Sequence, residues 1–276
     1  MYIEINGARL FFDIAGTGVD PATMQPKPTL LMLHGGPGYD QSTLRPHFDR
    51  FADTHQVIYI DHRGCGRSGG DPKTWTLDQW ADDVAAFCAA LRVERPVIFG
   101  QSFGGMVAMR TAARHPELAS KLILSSTAAR FDVEATVAMA QQLGGAVAAA
   151  AARALFTLPT LEAYKSYAEL CLPLYNPSTE ARAALRGNAI QKPEVTIHFF
   201  ANEMLGMDLR PGLAAVKCPT LVLAGAQDPV TPTICAKEIA AAIPHAALHV
   251  FESCGHGVHR DQPDESAALM RRFLAA

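Results

Sequence analysis

Gly100-Gln-Ser-Phe-Gly104 holds a serine between two glycines, a spacing that suits nucleophilic catalysis. A serine hydroxyl attacks a carbonyl only when a base takes its proton. The base in turn needs a carboxylate to fix its tautomer and stabilise its charged form. Asp228, at the end of Leu221-Val-Leu-Ala-Gly-Ala-Gln-Asp228, is the candidate carboxylate, and His256, in Ser253-Cys-Gly-His-Gly257, is the candidate base. His259 is a rival base three residues on and is expected to face elsewhere. His245 and His249 lie before and within an apolar run and are expected to be structural. A tetrahedral intermediate also needs donors for its oxyanion. Three glycines and a proline in His34-Gly-Gly-Pro-Gly38 make a tight loop of exposed backbone, and the N–H groups of Gly36 and Phe103 are the expected donor pair. His34 is expected to organise that loop rather than move protons, with Asp61, Arg63 and Arg67 bracing it through charge-assisted hydrogen bonds.

Each of these groups follows a short apolar run. Strands are predicted at Arg9–Ile14, Thr29–Leu33, Gln56–Ile60, Val97–Phe99, Lys121–Leu124, Thr220–Leu223 and Leu248–Phe251. They alternate with helical patterns, which implies a mostly parallel sheet with helices on its faces and ligands at the carboxyl ends of the strands. Leu77, Trp80, Val84, Phe87, Cys88 and Leu91 recur at spacings of three and four, so a helix follows Thr76, with Thr76 and Gln79 as a capping box. A second helix runs from about Gly104 to His115, before Pro116, and a third begins at Pro263. Ser102 then sits in a tight strand-to-helix turn. Gly100 and Gly104 remove side chains that would collide there, and the helix N-terminus points its positive end at any oxyanion.

Between Thr127 and about Pro211 the alternation stops. That stretch is rich in Ala, Leu, Met and Arg, with breaks at Gly144-Gly145, Pro159, Pro173, Pro177 and Gly187. It is expected to form a helical cap, 127–211, inserted in a core of residues 1–126 and 212–276.

The 276 residues are 49% hydrophobic and 18% charged, the balance of a globular chain with a sizeable core. A net charge of -3 offers no basic surface for nucleic acid. No apolar run is expected to reach the roughly 18 residues that cross a bilayer, and the alanine-rich Ala146–Ala154 is short and contains Arg153. The start carries no charged segment leading into an apolar one, so a cytoplasmic address is expected. Cys65, Cys88, Cys171, Cys218, Cys235 and Cys254 form no CxxC pair and are expected to be free thiols in a reducing compartment. No metal site and no cofactor are expected. The expected partner is a small-molecule substrate, not nucleic acid or a membrane.

His34-Gly-Gly-Pro-Gly38, Asp61-His-Arg-Gly-Cys-Gly-Arg-Ser68, Gly100-Gln-Ser-Phe-Gly-Gly105, Ala224-Gly-Ala-Gln-Asp228 and Cys254-Gly-His256 together resemble the proline iminopeptidase-like branch of the α/β-hydrolases. The likeness covers nearly the whole chain except the cap. It implies the α/β-hydrolase fold and its chain order of Ser, Asp, His. Some members of the family carry the acid after the preceding strand, but here that place reads Ser125-Ser126-Thr127, which favours Asp228. One departure stands out. The resemblance implies an acidic residue just after the triad acid to bind a free α-amine, and Pro229 occupies that position, leaving Glu203 or Asp208 as substitutes.

The expected reaction is two-step acyl transfer on a small ester, lactone or amide. A proline iminopeptidase, and a ligand-sensing protein that retains the triad, are the alternatives. Serine at position 102, rather than aspartate, argues against dehalogenase or epoxide hydrolase chemistry. Met139, Leu143, Phe156, Tyr164, Tyr167, Phe199, Phe200 and Met204 are candidates for an apolar pocket under the cap, with Glu203, Phe199, Phe200 and Met204 as candidate substrate contacts.

Overall fold

A computed structural model describes residues 1–178, 181 and 189–276. Eight strands make one sheet: β1 (Tyr2–Ile5), β2 (Ala8–Ala15), β3 (Thr29–Leu33), β4 (Gln56–Ile60), β5 (Val97–Gln101), β6 (Lys121–Ser125), β7 (Thr220–Gly225) and β8 (Ala247–Phe251). Their spatial order is β1-β2-β4-β3-β5-β6-β7-β8. β1 and β2 pair antiparallel, β2 joins β4 antiparallel, and every later pairing is parallel. All seven predicted strands form within two residues of the expected ends. β1 was not foreseen. It turns into β2 through Asn6 and Gly7, both at positive φ, the conformation that a two-residue hairpin with an Asn-Gly turn adopts.

The parallel strands are apolar throughout because both faces are covered. Leu31, Leu33, Ile58 and Ile98 pack to one side with Trp80, Val84 and Val107. Their neighbours in sequence, Leu30, Met32, Val57 and Phe99, pack to the other side with Phe48, Phe51 and Met270. The predicted helices are α1 (Leu77–Leu91) and α2 (Phe103–Arg114). Thr76 caps α1 by accepting from the Gln79 N–H at 3.2 Å. The reciprocal half of the capping box is not made, because the Gln79 amide bonds Asp83 at 3.0 Å instead.

Between β6 and β7 the described residues add α3 (Val133–Thr157), α4 (Leu161–Leu170) and α5 (Pro193–Asn202), and an isolated bridge from Arg130 to Asp208. The predicted break at Gly187 lies outside the described residues. α6 (Thr233–Ala242) and α7 (Pro263–Ala275) complete the flanking layers. α3 corrects one expectation: its 25 residues are long and apolar enough, by length and composition, to cross a membrane. It is not a straight rod, however. Gly145 breaks it with a φ of 72° and a ψ of −169°, and Ala148, Ala152, Leu155 and Phe156 beyond the break pack into the main core. The six cysteines are free and buried. Burial pushes the thiols of Cys65, Cys88, Cys235 and Cys254 up to about 12.

Arg63 was expected to brace the loop after β3, and it does other work. Its guanidinium forks onto Asp83 of α1 at 2.7 Å through two nitrogens. It also donates to Thr74 at 3.2 Å and to the carbonyl of Asn6 at 3.1 Å. Arg63 is 1% exposed, and it ties the β1–β2 hairpin to α1. Removing one partner of a buried pair strands the other charge. Arg63→Ala is therefore expected to lower the unfolding free energy by about 3–5 kcal/mol. Urea denaturation checks this, and a loss below about 1 kcal/mol, the worth of an exposed pair, would contradict the bracing role.

Candidate active site

Four loops at the carboxyl ends of parallel strands meet at one point: those after β3, β5, β7 and β8. Ser102 makes the whole connection between β5 and α2, with φ 54° and ψ −119°. A Cβ on Gly100 would strike the backbone of Gly104, and one on Gly104 would strike the carbonyls of Leu33 and His34. Strand, helix and the β3 loop can approach this closely only through glycine. The turn is fastened from β6: the Ser102 N–H donates to the Ser125 carbonyl at 3.0 Å, and the Thr127 hydroxyl donates to the Ser102 carbonyl at 2.7 Å.

The Ser102 hydroxyl lies 3.0 Å from His256 Nε2. Nδ1 of the same ring lies 2.9 and 3.0 Å from the two oxygens of Asp228. A carboxylate only accepts, so the proton belongs on Nδ1, and bare Nε2 is left to accept from the serine. Asp228 is fully buried. The Val230 N–H, the Thr231 N–H and the Thr231 hydroxyl donate to it at 2.8, 2.9 and 2.9 Å. The His256 backbone is pinned on both sides. Its N–H donates to the Tyr175 carbonyl at 2.5 Å, and its carbonyl accepts from Arg260 Nη2 at 2.6 Å. The Tyr175 ring meets the imidazole edge-on, centroids 5.0 Å apart.

Gly36 and Phe103 flank Ser102 on the wall of one cavity, which is open to solvent on one side. No described hydrogen bond takes up the N–H of either residue. Both donors are thus free for a developing oxyanion. The β3 loop is held in shape by His34, buried, whose Nδ1 donates to the Gly35 carbonyl at 2.9 Å while Nε2 accepts from the His62 N–H at 3.1 Å. Burial keeps its ring below the usual histidine range against the pull of Asp61. Asp61 is pushed up by its own burial and accepts from the N–H groups of Gln41 and Arg67 at 3.0 and 2.9 Å. The Arg67 guanidinium goes to Asp40 at 2.9 Å.

The sequence matches the family model described as alpha/beta hydrolase fold over residues 28–263. The chain belongs to the alpha/beta hydrolase fold family. A proline iminopeptidase named PfmaB from Pestalotiopsis fici is 29% identical and aligns over 99% of this chain and 98% of its own. Among solved structures, an enol-lactonase from Burkholderia xenovorans superposes with a TM-score of 0.77 at 23% identity, covering all of both chains. A thermophilic esterase from Thermogutta terrifontis does so with a TM-score of 0.75 at 26% identity, covering 100% of this chain and 97% of that one. The relatives are hydrolases, and this chain is a hydrolase of that fold.

Within this alpha/beta hydrolase the cavity is walled by Phe156, Tyr164, Tyr167, Phe199, Phe200 and Met204, all expected there. Met139 and Leu143 are not on the wall. Glu203 is a correction. Its carboxylate accepts from the N–H of Leu77 at 3.0 Å, at the first turn of α1, and does not face the cavity. Asp208 is exposed and paired with Arg210 at 2.7 Å. His259 is buried against Phe48 and His47, where burial drives it well below the usual range. Several wall residues were not among the candidates, Tyr175 and Arg260 among them. The only signal for Arg260 is its place four residues after His256 in a run dense with glycine and histidine.

Ser102→Ala removes the hydroxyl without adding bulk to the elbow. It is expected to abolish turnover and fluorophosphonate labelling while leaving the melting temperature unchanged. A stoichiometric adduct on another serine in that variant would refute the assignment. Asp228→Asn should keep the shape but favour the wrong imidazole tautomer, lowering kcat about 10⁴-fold. A loss under tenfold in steady-state assays would point to another carboxylate.

Proposed function

We propose that the chain cleaves a small ester or lactone through an acyl-enzyme on Ser102. In this reading Ser102 Oγ attacks the carbonyl as its proton passes to His256 Nε2, and Asp228 stabilises the imidazolium. The Gly36 and Phe103 N–H groups receive the oxyanion. His256 then protonates the leaving group, and water activated by the same ring releases the acid. Residues 127–211 act as the cap, since α3, α4 and α5 supply Phe156, Tyr164, Tyr167 and Phe199 to the cavity wall.

The observation that carries the substrate class is a charge balance. Among the described residues no carboxylate lines the cavity. The two acids that could have bound an α-ammonium, Glu203 and Asp208, are engaged at the start of α1 and with Arg210. Pro229 stands beside Asp228. A free amine entering this space would be desolvated without a partner, at a cost of several kcal/mol. The similarity to the Pestalotiopsis fici proline iminopeptidase supports shared machinery and favours the aminopeptidase as the second reading.

The two readings separate on arylamides with one leaving group. Butyryl p-nitroanilide is expected to show a higher kcat/KM than prolyl p-nitroanilide, and p-nitrophenyl butyrate to be hydrolysed with multiple turnovers. Glu203→Gln should leave the arylamide ratio unchanged. A preference for the prolyl substrate that falls more than tenfold in Glu203→Gln would restore the aminopeptidase. Labelling of Ser102 without turnover on any ester or lactone would make the protein a ligand sensor.

A further inference from the structure

Two arginines are buried among the described residues, and they are solvated in opposite ways. Arg63 is fully matched by the bidentate carboxylate of Asp83. Arg260, 6% exposed, has no carboxylate within ion-pair distance among the described residues. Its bonds go to neutral acceptors: Nε to the Asn176 amide oxygen at 3.3 Å, Nη1 to the Thr43 carbonyl at 3.4 Å and to His259 Nε2 at 3.1 Å, and Nη2 to the His256 carbonyl at 2.6 Å. A guanidinium has five N–H donors, so one is left over. The nearest acids are committed elsewhere. Asp228 serves His256 and its own loop, and Asp261 accepts from Asn176 and from the Gly255 N–H. Burial pulls the Arg260 guanidinium down to about 10, against the pull of Asp261, Tyr175 and Asp228, so it is still charged at neutral pH.

A buried cation without an ion-pair partner is unfavourable. This one sits on the wall of the cavity that holds Ser102 and His256, a wall that carries no other formal charge among the described residues. We infer that Arg260 is a specificity residue that receives an anionic group, a carboxylate, on the substrate. The inference rests on the ester or lactone reading and sharpens it: the cavity that rejects an ammonium accepts the opposite charge. The carboxylate would take up the uncommitted N–H and compete for Nη1, whose bond to Thr43 is the longest the guanidinium makes. A carboxylate on the acyl part and one on the leaving group are tested separately.

The test compares charged and neutral esters of matched size on the wild type. One arm sets p-nitrophenyl hemiglutarate against p-nitrophenyl pentanoate. The other sets 4-carboxyphenyl butyrate against its carboxamide counterpart. In at least one arm the charged ester is expected to have the higher kcat/KM. Arg260→Gln should cut that preference about tenfold, the scale of one charged hydrogen bond, mainly through KM, and Arg260→Lys should restore part of it. A merely structural arginine would lower both esters of a pair equally, and that result overturns the inference. If the Gln variant does not fold, the wild type decides alone: neutral esters preferred in both arms refute it. Absence of turnover on every ester, charged or neutral, would instead refute the hydrolytic reading beneath it.

Discussion

Between β5 and α2 the chain turns from strand to helix without a spare residue. Ser102 makes that turn alone, in a backbone region that an L-residue enters at a cost of about 1–3 kcal/mol. The strain persists because β6 holds the turn at both ends, through the Ser125 carbonyl and the Thr127 hydroxyl. Much else follows from it. The helix can begin at Phe103 only if α2 lies against the end of β3, which is why Gly104 meets the Leu33 and His34 carbonyls. That contact brings the Gly36 loop beside the Phe103 N–H. A hydroxyl on a slack loop could reach the same place on average, but not with both donors fixed around it.

The parallel sheet supplies the remaining geometry. Neighbouring strands of parallel sense end at the same edge, so groups far apart in sequence, such as Ser102 and His256, reach one place. The apolar faces on either side leave little freedom of register, and the loops inherit that order. Around the cavity the charges are sorted. Asp61 and Glu203 are tied to backbone N–H groups, and among the described residues the wall is mostly aromatic, aliphatic or uncharged polar, with Arg260 as its one cation.

What could be read from the residues followed local grammar. The strands before Ser102 and Asp228 are continuous apolar runs that end in small or polar residues, and such runs mark buried parallel strands. The serine with its flanking glycines, the loop at Gly36 and the glycine-rich turn at His256 are each complete within about five residues. β1 was missed although Asn6-Gly7 carries a hairpin signal, because Tyr2–Ile5 is short and half exposed. Other features depend on partners far along the chain. Nothing near Glu203 announces that its carboxylate will meet the Leu77 N–H, and nothing near Arg63 points to Asp83 and Asn6 rather than to the neighbouring loop. Met139 and Leu143 share the apolar character of Phe156, yet they lie before the break at Gly145, so one helical wheel cannot place all three. The pocket-facing side of an inserted helix is decided by tertiary packing, which spacing alone does not encode.

The imidazole loop is not supported by the sheet alone. Its backbone N–H is received by Tyr175, which belongs to the stretch between β6 and β7, and a Cβ at Gly255 would collide with that same carbonyl. The inserted stretch is therefore wired to the His256 loop, not merely laid over it. Exchanging this stretch for that of a relative would change the seat of the ring as well as the shape of the cavity. In a chain built this way, the lining of the cavity and the position of the imidazole change together, and the two do not vary as separate modules.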